Sequence, residues 1–139
     1  MNDTTKHWGI AILRVMLAIV YLSHGGQKLF TYGFSGVQGA FAQMGIPMPA
    51  VMGPFIALLE FVGGALLALG VGVRWVSILF AIEMAVAVFK VHLPHGFFMA
   101  NNGYEFALTL FAANCCLALE GPGAASVRIM RKKNPAAGS

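Results

Sequence analysis

Four of the five acidic residues, Glu60, Glu83, Glu105 and Glu120, fall within or at the ends of long apolar stretches, and only Asp3 lies outside them. A charge at the centre of a bilayer costs at least ~2.5 to 3.5 kcal/mol on insertion scales, so such groups turn to a partner or a wet cavity rather than to lipid. Bases accompany these acids. His24 and Lys28 are four residues apart, and Glu83 and Lys90 seven apart, spacings that put each pair on one helix face. Carboxyl groups can exchange protons, while imidazole and ammonium groups can hold an anionic or polar head group. The candidate catalytic residues are therefore Glu60, Glu105, His24 and Lys28, and the candidate cofactor-binding residues are His24, Lys28, Lys90 and His92. A plainer reading stands beside this one, in which the same groups form a buried polar network that sets helix register.

Other polar residues argue for structure before chemistry. Arg14 lies ~9 Å from one end of the first apolar stretch by rise per residue, and is expected to snorkel towards that end and meet Glu120. Glu83, near the middle of its stretch, reads equally well as a proton relay or as the partner of Lys90. His24, His92 and His95 show no H-x-x-x-H spacing, and Cys115 and Cys116 are adjacent, so no metal centre is expected and the cysteines read as packing residues.

The elements that must position these groups are helices. Apolar stretches of membrane-spanning length cover about residues 8–28, 52–73, 74–93 and 104–120. Between the first two, residues 31–51 carry Gly33, Gly36, Gly39 and the Gly45-Ile46-Pro47-Met48-Pro49 break, with Phe34, Val37, Phe41 and Met44 at helical spacing, which predicts a short interfacial helix. The tight Gly70-Val71-Gly72-Val73 turn predicts an antiparallel hairpin of the second and third spans, and Gly64, Ala68 and Gly72 form a small-residue stripe suited to close packing or self-association. Asn101-Asn102-Gly103 and Gly121-Pro122-Gly123 bound the fourth span. The fold class is all-α, an integral membrane four-helix bundle over residues 1–127, followed by a basic tail at 128–139.

Composition agrees with that class. Of 139 residues, 58% are hydrophobic and 10% charged, and the mean hydropathy is +0.76, too apolar for a chain that must cover itself against water. The net charge of +4 does not point to nucleic acid, because its largest cluster, Arg128, Arg131, Lys132 and Lys133, directly follows an apolar segment and has no interleaved aromatics. With Lys6 and Arg74 on the same side, and only Lys28 and Lys90 on the other, the positive-inside rule places both termini in the cytoplasm. The acids and bases then converge in the outer half of the bundle.

Several local motifs follow one order along the chain: Arg14, His24-Gly25 and Lys28, then Gly45-Ile46-Pro47, Glu60 with Gly63-Gly64, and Gly72 with Arg74. Further along come His92 with Gly96-Phe97, Gly103 with Glu105, and Gly121-Pro122-Gly123 with Ser126. In this order the chain resembles the DoxX family of small bacterial membrane proteins, from Leu13 to Ser126. The resemblance implies a four-helix bundle in the bacterial cytoplasmic membrane, and a partner role in redox systems that link sulfur or thiol oxidation to quinone. Two departures stand out: Arg128 follows Ser126-Val127 where the family has an acidic residue, and Glu120 replaces an apolar one.

Three readings follow. In the first, the chain is a redox-associated membrane subunit with a protein partner, Glu60 and Glu105 exchange protons, and His24 and Lys28 hold an anionic or quinone-like head group. In the second it is a non-catalytic anchor or assembly partner, and in the third a carrier for a small solute or lipid. No nucleotide, haem or iron–sulfur motif is present, so an electron carrier would be borrowed or diffusible.

Overall fold

The computed structural model describes residues 2–127 and is helical throughout, with no strand among the described residues. The basic run 128–139 lies outside them. The first helix, α1 (Asp3–Gly26), starts where the Asn2 side chain accepts the Thr5 amide at 2.9 Å, and continues as a π-helical turn, Gln27–Tyr32. Gly33, at φ +68°, redirects the chain into the short helix α2 (Gly33–Gln43). Pro49, whose missing amide costs nothing in a first turn, opens α3 (Pro49–Leu69), which Gly70 closes in the left-handed region. Next come α4 (Val73–Val86), a second π-helical turn at Ala87–His92, and, after a loop, α5 (Glu105–Glu120).

The stretches containing α1, α3 and α4 are long and apolar enough to cross a membrane, and α5, with 16 residues, is shorter. Their outward faces are those of a protein dissolved in lipid: Ile12, Phe30, Trp75, Phe89 and Leu119 are each at least 70% exposed.

The helices pair as α1 with α3 and α4 with α5, while α2 folds back on α3. The pairs meet where the Tyr21 and Phe80 rings stack, 3.6 Å apart and within 5° of parallel. The tight turn at Gly70 and Gly72 does connect α3 to α4, but the expected hairpin is not the main packing unit, because each helix spends most of its buried face on another neighbour. Nor is the stripe Gly64, Ala68, Gly72 the contact row. Gly64 packs on Leu22 of α1, but Ala68 is exposed and a side chain at Gly72 would meet nothing. The buried row on α3 is Gly53, Ala57, Glu60, Gly64 and Leu67, spaced by threes and fours.

The end of the bundle that holds both ends of the described chain is tied by cations to carbonyl oxygens. The buried Arg14 guanidinium donates to the carbonyls of Pro122, Ala124 (3.3 Å) and Ala125 (2.9 Å). It does not meet Glu120 as expected: that carboxylate pairs with Lys6 at 2.8 Å in an exposed bridge of small energetic weight. The turn past Gly121 curls over the inward face of α1, so its carbonyls reach Arg14 first. Arg74 donates to the last carbonyls of α5, Ala118 (3.0 Å) and Leu119 (2.6 Å), where a cation complements the helix dipole. Arg74→Ala is expected to cost about 1 kcal/mol, read as a lower denaturation midpoint in detergent.

Candidate functional site

At the opposite end, the two helix pairs separate and enclose a cavity of about 400 Å³, with walls that are mostly apolar and come from all five helices. Its polar lining is Tyr21, His24, Lys28, Glu60, Glu83, His92 and Asn102. Lys28 Nζ donates to Glu60 Oε2 at 2.6 Å, and the two side chains are 19% and 6% exposed. This pair depends on a close backbone approach one turn away. A Cβ on Gly25 would sit 2.8 Å from Phe61 Cα and 2.9 Å from the Glu60 carbonyl carbon, so only glycine lets α1 lie flat enough on α3 for Lys28 to reach Glu60.

Glu83 enters from α4, across the cavity, and stands within charge range of Glu60 and Lys28. Its Oε2 is buried and lacks a hydrogen-bond partner among the described residues. Of the two readings open for Glu83, the pair with Lys90 does not form: Lys90 is exposed and does not line the cavity. The reason is local. Lys90 lies in the π-helical turn, whose wider winding breaks the 3.6-residue register that would have put positions seven apart on one face.

The remaining candidates divide by place. His24 lines the cavity, with its ring 6.5 Å from that of Phe106. His92 lies at the rim with Nδ1 2.8 Å from the Asn102 carbonyl; a carbonyl only accepts, so Nδ1 carries the hydrogen and Nε2 is left as an acceptor. Glu105 stands outside the cavity lining. Its Oε1 accepts the Met99 amide at 2.6 Å, holding the loop that leads into α5. Tyr21, not singled out by the sequence, forms part of the floor, its hydroxyl accepting from Asn114 Nδ2 at 2.7 Å. Among the described residues no three His, Cys, Asp or Glu side chains gather as a metal-binding group.

The site is thus an ammonium–carboxylate pair with a second carboxyl group beside it, sunk in an apolar pocket, with one imidazole on its wall and another at its rim. Such an arrangement can bind an uncharged oxygen-bearing group and exchange protons with it. A model of the DoxX family matches residues 9–93, well over half of the chain and every polar cavity residue except Asn102. The chain belongs to the DoxX family.

Three relatives are similar to this DoxX protein over most of its length. It is 34% identical over 110 residues to the Bacillus subtilis (strain 168) protein named "putative oxidoreductase CatD", with 78% of each chain covered. It is 31% identical over 132 residues to an uncharacterized protein of Haemophilus influenzae, covering 91% of this chain and 95% of the other. It is 30% identical over 128 residues to the inner membrane protein YqjF of Escherichia coli (strain K12), covering 90% and 94%. No solved structure matches this DoxX chain.

Proposed function

We propose that this DoxX protein is a membrane subunit of a redox system of the bacterial cytoplasmic membrane, with both termini cytoplasmic, and that its cavity takes the head group of a quinone. The observation that carries the reading is the Lys28–Glu60 pair with Glu83 beside it, its Oε2 unpartnered, on the wall of an otherwise apolar cavity. These residues fit such a head group. Apolar walls accept a ring, Glu83 Oε2 offers an unused position for a ring hydroxyl or a shared proton, and Lys28 can turn a donor to a ring carbonyl. A quinone bound there supplies electron- and proton-accepting chemistry, with electrons delivered by the partner.

The chain's own residues then have separate tasks. Lys28 orients the head group, Glu60 holds Lys28 in place and takes or gives a proton, and Glu83 holds a proton at Oε2. His24 stands on the cavity wall and His92 at the rim, where its acceptor Nε2 can receive a proton from water. Glu105 acts through the loop it holds. The name of the Bacillus relative, "putative oxidoreductase CatD", supports the class of chemistry.

In the second reading the chain is an anchor, and Lys28–Glu60 only locks α1 to α3. The favouring observation is that this pair bridges the same two helices that Gly25 and Gly64 bring together. Titration of the detergent-extracted protein with a short-tailed quinone separates the two. Glu60→Gln is expected to weaken binding about tenfold, near 1.4 kcal/mol, while the thermal midpoint moves only a few degrees, because the amide oxygen still accepts from Lys28 and Glu83 remains nearby to take over as its counter-charge. Unchanged binding with a large fall in the midpoint would favour the anchor.

A further inference from the structure

The cavity is not closed on every side. On α3 the lining residues Met52, Phe55, Ile56 and Leu59 recur at helical spacing, and on α4 so do Leu79, Ile82 and Val86. These rows face each other across the cavity without closing it, because α3 spends its contacts on α1 and α2, and α4 on α5. Phe55 and Ile82 are at once cavity wall and outer surface, 50% and 58% exposed. Below the level of the carboxyl groups the gap shuts, where Gly63 of α3 brings its backbone against Phe80 and Val76 of α4. The result is a slot along the α3–α4 seam, walled by apolar side chains, opening on the lipid-facing surface and ending near Glu60 and Glu83.

We propose that this slot is a lateral portal through which a single-tailed amphiphile with an uncharged, oxygen-bearing head passes from the bilayer, leaving its tail between the Phe55 and Ile82 walls. This rests on the head-group reading above and adds the route and the class of ligand. In a membrane, an apolar opening at this depth meets hydrocarbon chains rather than water, so what fills it is a tail. The polar end limits the head. The Lys28 ammonium is already neutralised by Glu60 at 2.6 Å and Glu83 holds a proton, so a phosphate or carboxylate head would be buried without a counter-charge of its own, whereas a hydroxyl or carbonyl needs none.

The test compares two probes with the same quinone head, one bearing a short and the other a long isoprenoid tail, on protein in nanodiscs. Ile82→Trp fills the slot from one wall and Phe55→Trp from the other, so either variant serves if one fails to fold; Ile12→Trp, 70% exposed and outside this cavity's lining, is the control. In the slot variants the long-tailed probe is expected to lose at least about tenfold in affinity, with the short-tailed probe within about twofold of wild type, and the control should change neither. Equal retention of both probes in both slot variants would overturn the portal while leaving the head-group site standing. Displacement of the long-tailed probe by a two-tailed anionic phospholipid would overturn the assigned ligand class. A short-tailed probe that fails to bind wild type would instead overturn the head-group reading, and this inference with it.

Discussion

Gly25→Ala is expected to prevent the bundle from assembling in its native form, although it adds one methyl group. The added carbon would lie within 2.9 Å of backbone atoms of Glu60 and Phe61, and backbone inside a helix cannot swing aside as a side-chain tip can. Helices α1 and α3 would have to separate by about half an ångström or more. Overpacking a well-filled interface costs about 1 to 3 kcal/mol, and sometimes more. Here it also stretches the Lys28–Glu60 pair one turn away, and a buried pair broken on one side costs about 3 to 5 kcal/mol. Together these approach the whole stability of an ordinary small domain. The matched control is Gly9→Ala in the same helix, where the new methyl group meets nothing within 4 Å and no loss of stability is expected. Thermal denaturation in detergent, followed by near-ultraviolet circular dichroism, reads both. Native-like stability of Gly25→Ala would show that the α1–α3 contact tolerates what the backbone distances forbid.

The second large effect is expected from Arg14→Met, which keeps most of the side-chain length but removes the charge and its donors. The carbonyls of Pro122, Ala124 and Ala125 converge on one guanidinium, and its loss would strand acceptors at ~1 to 3 kcal/mol each where water does not reach. Removing the guanidinium also relieves the cost of burying it, so a net loss of about 3 kcal/mol is a reasonable balance. Arg14→Lys should recover only part of this, because a single ammonium cannot reproduce the planar fork that spans separate carbonyls. The loss should also be local. The turn after α5 would detach from α1, seen as faster amide exchange at Ala124, whose amide donates to the His7 carbonyl. An Arg14→Met protein with unchanged midpoint and unchanged exchange at Ala124 would refute the clamp.

These two residues show what a linear reading can and cannot reach. Arg14 was visible as an ionisable group inside an apolar stretch, hence as a group in need of partners. Its partners were not, because main-chain carbonyls 108 to 111 positions away leave no mark in residue type. Glu120 was the obvious counter-charge on paper, but it is exposed and drawn to Lys6. Glu83 is equally visible, and the pattern of threes and fours leaves a pair with Lys90 as open as a proton relay. The π-helical turn at Ala87–His92 cancels that pattern, and nothing in its alternating apolar and basic residues announces the wider winding. Gly25 stands in the ordered motifs that suggest the family, but its role, the backbone approach of α1 to α3, depends on a neighbour that its own helix does not announce.

Composition and the lengths of its apolar runs were enough to determine that this protein is a bundle of membrane helices, since hydrocarbon admits few other ways to satisfy a backbone. They determined as well that its acids and bases must find shelter from lipid, and the order of short motifs was enough to suggest the family. Tertiary structure alone decided which helices pair, that Lys28 meets Glu60 and that Glu83 joins them. It also decided that Glu105 and Lys90 stand outside the cavity. The cost of burying a charge depends on the side chain itself and is written into residue type. The choice of partner depends on distances of a few ångströms between separate helices, set by where a missing Cβ lets two backbones touch.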